Sequence, residues 1–79
     1  MERTYFDVIK ERFIMRALEI NNCATKGKAD ESYTYYGETM ALAQVLRDMG
    51  HEAYIHVSKD INGCVKVQNI EINGERQRL

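Results

Sequence analysis

The sequence predicts a small α+β domain in which two helices pack on one face of an antiparallel β-hairpin sheet, in the order helix, helix, strand, strand. Two observations carry that prediction. Apolar residues recur at three- and four-residue intervals through the first part of the chain, whereas after Gly50 the period drops to two, and glycine-bearing turn signals stand at 59–63 and 73–74. With 79 residues, 44% of them hydrophobic and 29% charged, and a net charge of −1, the chain has room for one core and the composition of a globular domain rather than a disordered segment. No apolar run approaches the roughly 18 residues of a membrane span, and Glu2, Arg3 and Asp7 stand where a secretory signal would be apolar. The expectation is an intracellular, cytoplasmic protein.

The first helix is expected over 5–20, where Phe6, Ile9, Phe13, Ala17 and Ile20 share one face. Thr4 is its N-cap, with Asp7 at the third helical position completing an acidic capping box, and Asn21 and Asn22 are end signals. Residues 21–32 are small and polar with no apolar period, which reads as a loop with Lys26 and Lys28 at its tip. The second helix starts between Asp30 and Gly37, with Ser32 and Thr34 both acceptable caps, and ends at Gly50, a natural left-handed position. Its core face is expected to carry Tyr35, Leu42, Val45, Leu46 and Met49.

In the first strand Ala53, Ile55 and Val57 alternate with Tyr54, His56 and Ser58. In the second, Val65 and Val67 are out of phase with Ile70 and Ile72, and a bulge at Gln68-Asn69 restores them to one face. A five-residue loop would then set Val57 opposite Val65 and Ile55 opposite Val67. A lone hairpin is barely stable in water, so either residues 75–79 or the hairpin of a second subunit should extend the sheet. Small size raises the expectation of a homodimer for the same reason.

The residues that carry chemistry are sparse. Neither GxxxxGK[ST] nor GxGxxG occurs, so no glycine-built cradle for phosphates is encoded. Cys23 and Cys64 are too few for a disulfide scaffold and read as free thiols. His51, His56 and the two cysteines lack CxxC or HxxxH spacing, and a calcium loop from Asp30 fails because its twelfth position is Ala41. Cys64 and His56 are expected on the outer sheet face, separated along the hairpin, which is a poor setting for a thiolate nucleophile. The expectation is a chain that is not an enzyme and holds no cofactor or metal.

What remains is apolar surface in unexpected places. Val8 and Met15 lie opposite the core stripe of the first helix, and Tyr33, Tyr36, Met40 and Ala43 lie opposite that of the second, which ends at Arg47. Aromatic residues, Met and Arg are the types enriched at protein interfaces. The bland alternative is that these residues pack the helices together or, for the tyrosines, pack across a helix end. The favoured reading is a non-enzymatic interaction module, an adaptor or inhibitor docking on a larger protein machine. The alternative is a nucleic-acid-associated accessory protein using the tyrosines with Lys26, Lys28, Arg76 and Arg78, although a net charge of −1 predicts weak binding.

Overall fold

The computed structural model describes every residue except Met1 and Arg78. Its elements are α1 (Tyr5–Thr25), α2 (Ala29–Asp48), β1 (Ala53–Lys59), β2 (Val65–Ile72) and β3 (Glu75–Gln77). The strands form one antiparallel sheet in the order β1-β2-β3. The helices form an antiparallel pair on one face of that sheet, α1 against β2 and α2 against both β1 and β2. Phe13, Ala17, Ile20, Leu46, Ala53 and Ile70 are fully enclosed between the layers.

The start of α1 follows from its sequence. Thr4 Oγ1 accepts from the Asp7 N–H and Asp7 Oδ2 accepts from the Thr4 N–H, both at 3.1 Å. These bonds hold the Asp7 carboxyl below its ordinary pKa. The helix runs past Asn21 and Asn22 to Thr25, because Asn21 turns its amide onto the sheet instead of ending the helix. The expected loop over 21–32 therefore shrinks to Lys26, Gly27 and Lys28, with Gly27 at φ 69. α2 begins at Ala29 with no side-chain cap, and Asp30 and Glu31 in its first turn favour the positive end of the helix dipole. Ser32 and Thr34 are helix interior: their hydroxyls donate back to the Ala29 and Asp30 carbonyls.

The buried stripe of α2 is Ser32, Thr39, Ala43 and Leu46, rotated from the expected face. Ala43 lies inside, and Tyr36 joins Tyr35, Leu42, Val45 and Met49 as half-buried flanks. The reason is steric. α2 is held against both α1 and the sheet, so the small Ser32, Thr39 and Ala43 occupy the line of closest approach, with Leu46 filling the core at its end and the tyrosines spreading to the side.

The bulge is present, but the register differs from expectation by two residues. Val57 pairs with Val67, Lys59 with Val65 and Ile55 with Ile70, and Gln68 is the extra residue. The loop sets this register: Asp60 Oδ1 accepts from the N–H groups of Asn62 and Cys64, each at 2.9 Å, and the Asp60 N–H donates to the Cys64 carbonyl. Cys64 is thereby turned inward and fully buried, contrary to its expected place on the outer face. Asn73 and Gly74, at φ 52 and 84, form the two-residue turn into β3, so the C-terminal residues do extend the sheet.

Candidate functional site

On the outer side of α1, Val8 and Met15 line a shallow groove together with Arg3, Glu11, Arg12 and Arg16. Seven residues apart on a helix, the two apolar side chains share a face. Val8 is half-buried and Met15 is 50% exposed. Arg3 pairs with Glu11, and Arg16 Nε stands 3.4 Å from Glu38 Oε2 on α2, while Arg12 has no ion pair among the described residues. The groove is thus an apolar floor with a charged rim, in which Arg3 and Arg16 are paired with carboxylates and Arg12 is the unpaired cation among the described residues.

The second apolar line runs along α2. Tyr33 is 41% and Met40 37% exposed, whereas Tyr36 packs partly against the core. Both ends of this line are fastened to β1: Lys59 Nζ lies 5.7 Å from the Tyr33 ring centre, and Arg47 lies over Tyr54 at 6.0 Å while Nη1 donates to the Ala53 carbonyl at 3.2 Å. Tyr33, Met40 and Arg47 therefore form a ridge alongside the outer edge of β1.

The basic residues of the nucleic-acid alternative are not brought together. Lys26 and Lys28 occupy the turn between the helices, with Lys28 Nζ 3.9 Å from Glu31. Arg76 lies on β3 and pairs with Glu71 at 3.5 Å. The Phe6–His51 stack (3.9 Å) and the His51–Asn73 contact (3.1 Å) place the β2–β3 turn at the N-terminal end of α1, about 30 Å from the Lys26 turn. Arg78 lies outside the described residues.

Other chemistry is similarly dispersed. Among the described residues no group of three or more His, Cys, Asp or Glu side chains comes together. His56 is opposite Asn69 on the outer sheet face, its Nε2 3.7 Å from Glu71. Cys23 and Cys64 are free and buried, and burial pushes both thiols above their ordinary pKa, with nearby carboxylates acting in the same direction. Both should resist alkylation at neutral pH until the chain unfolds. Because the folded-state pKa is raised, their contribution to stability is complete below the ordinary thiol value of about 8.5 and is lost as pH rises beyond it. Mass-resolved alkylation against urea concentration checks the first point: rapid labelling of the native protein would contradict it.

An unpaired strand edge is expected from the sequence, but the closing of one side of β2 by side chains is not. Asn21 Oδ1 accepts from the Val67 N–H at 2.8 Å and its Nδ2 donates to the Val67 carbonyl at 3.3 Å, so one side-chain amide substitutes for a neighbouring strand. Ser32 Oγ accepts from the Val65 N–H at 3.0 Å. Together with β3 they close that side of β2, whereas β1 is open. Among the described residues no helix is long and apolar enough to cross a membrane. Set against protein-family models, curated proteins and solved structures, the chain matches none of them.

Proposed function

We propose that this chain is a non-enzymatic protein-interaction module of the cytoplasm, an adaptor or inhibitor that works as a homodimer and docks a larger protein through the outer face of α1. The observation that supports it best is the groove over Val8 and Met15, rimmed by Arg3, Glu11, Arg12 and Arg16, of which Arg12 has no ion pair among the described residues. A half-exposed methionine on a helix contributes little to the fold, but it adapts its shape to a partner's apolar side chain. The arginines then select what surrounds that side chain. The chemistry fits a protein segment with one large apolar residue flanked by Asp or Glu, the apolar contact supplying affinity and the charges supplying orientation and encounter rate. Nucleic-acid binding has weaker support, because Lys26 and Lys28 stand at the opposite end of the domain from Arg76.

Selection from a random peptide library tests the proposal. The expected winners carry a Leu, Phe, Met or Trp beside acidic residues, and binding falls when Met15→Ser and Arg12→Glu are combined. Both positions are exposed, so the circular dichroism spectrum should not change. Winners without acidic residues, or equal binding by the variant, would overturn it.

A further inference from the structure

The open edge of β1 is defined by hydrogen bonding at both ends of the strand. The Asn73 N–H donates to the Glu52 carbonyl and the Asp60 N–H to the Cys64 carbonyl, so Glu52 and Asp60 both point their backbone groups toward β2 or its flanks. In an antiparallel pair the direction alternates residue by residue. The bulge lies on β2, which leaves the alternation along β1 unbroken. The N–H and C=O groups of Ile55, Val57 and Lys59 therefore point outward, and none of them has a hydrogen-bond partner among the described residues. The Ala53 carbonyl, the next in this series, accepts from Arg47. Beside these groups Ile55 is half-buried and Val57 36% exposed, partly uncovered at the rim of the core. Natural sheets rarely leave such an edge unprotected.

We propose that the occupant of this edge is a second copy of the chain, its β1 paired antiparallel with the first across a two-fold axis to make one six-stranded sheet. The proposal rests on the reading of the chain as an interaction module and names the partner of its second face. Three observations favour a copy of itself over another protein.

The first is register. Along α2 the ridge runs beside β1 from Tyr33, next to Lys59, to Arg47, next to Ala53. Fourteen helical residues rise about 21 Å and six strand residues about 20 Å, so the midpoints, Met40 and His56, lie at the same level. A two-fold axis at that level sets Ile55 opposite Val57 of the second copy, with outward backbone groups facing outward backbone groups. Both residues lie on the core side of the sheet, so the apolar rims become continuous.

The second is spacing. α2 packs on both β1 and β2, which centres it about half a strand spacing inside the edge. Related by the two-fold axis across a newly formed strand pair, the two α2 helices lie about 10 Å apart, the distance at which helices pack. At Gly37, on the outer side of α2, nothing lies within 4 Å of where a Cβ would stand, so the backbone is open to a neighbouring helix.

The third is complementarity. The same axis brings Met40 to its own counterpart and Tyr33 to Arg47 of the second copy. The Tyr33 ring carries Lys59 and the residue is 41% exposed, so the ring can also meet a guanidinium from outside the chain. Each copy thus offers both halves of a cation–π pair, with Arg47 held at the strand edge by its bond to the Ala53 carbonyl, as a two-fold interface requires.

Sedimentation equilibrium with amide exchange tests this. The expected mass at tens of micromolar is twice the 9.2 kDa of one chain, with the Ile55, Val57 and Lys59 amides protected. Val57→Pro removes an outward N–H that the single chain does not use, and Met40→Glu places two carboxylates at the axis. Each variant should sediment as one chain with an unchanged circular dichroism spectrum, and the second keeps the test valid if the first disturbs β1. A wild-type protein of 9.2 kDa at several hundred micromolar would overturn the proposal, and so would a double-mass species whose three amides exchange freely. Met15→Ser with Arg12→Glu should leave the mass doubled, so loss of peptide binding and loss of dimer are read separately.

Discussion

Phe13→Ala is expected to destabilise the domain by about 3–5 kcal/mol, the loss found when a fully buried aromatic side chain is truncated. Phe13 sits in the middle of α1, wholly enclosed in the cluster formed with Ile20, Leu46 and Ile70. A domain of 79 residues has a total stability of about 4–12 kcal/mol, so this one change removes a large share of it. The midpoint of thermal unfolding should fall by about 12 °C or more. Tyr5→Ala, at an exposed position in the same helix, is the control and should move it by only a few degrees. Similar shifts for both variants, followed by circular dichroism, would show that the core is not organised around Phe13.

Asn21→Leu should have the second largest effect, for a different reason. Leucine keeps the size of the side chain but removes both bonds to Val67, leaving a part-buried N–H and C=O without partners. Each orphaned group costs about 1–3 kcal/mol. The change also uncovers a strand edge that Asn21 and Ser32 now close, so aggregation at high concentration should accompany the loss of stability. Asn21→Asp separates the two bonds. It keeps an acceptor for the Val67 N–H while losing the donor to the carbonyl, and should fall between wild type and Asn21→Leu in urea denaturation. Wild-type stability for Asn21→Leu would mean that water replaces the amide without cost.

The Asn21 result bears on how far the sequence could be read. The apolar period of α1, its capping box, the left-handed Gly50 and the phase slip in β2 are local signals, and each corresponds to a feature of the fold. Asn21 and Ser32 are polar residues of types that end or begin helices, which made residues 21–32 look like a loop. Only the presence of Val65 and Val67 beside them turns those side chains into strand caps. The register failed similarly. Apolar pairing alone favoured Val57 opposite Val65, but the Asp60 carboxylate organises the loop and places Lys59 there instead. On α2, helical period could not tell which of two apolar lines faces inward, because small residues rather than large ones fill the closest contact.

The same distinction applies to the candidate surfaces. Val8 and Met15 were identifiable because a helix period fixes which residues oppose a strong core stripe, and α1 has one. Tyr36 was not, since α2 is turned so that it packs partly inward. That a strand edge stays unpaired follows from the small number of strands, but which edge it is had no sequence signal, because it depends on which of two edges the rest of the chain covers.

The central claim is that this domain recognises another protein through an apolar groove with an arginine rim. The most direct test is the affinity of a library-selected peptide for three proteins: wild type, Met15→Ser combined with Arg12→Glu, and Lys26→Glu combined with Lys28→Glu. The account predicts that the first pair of changes weakens binding at least about tenfold, equivalent to about 1.4 kcal/mol, while the lysine reversals change it less than about twofold. Loss of binding on reversing Lys26 and Lys28, with the groove variant binding as wild type does, would contradict it.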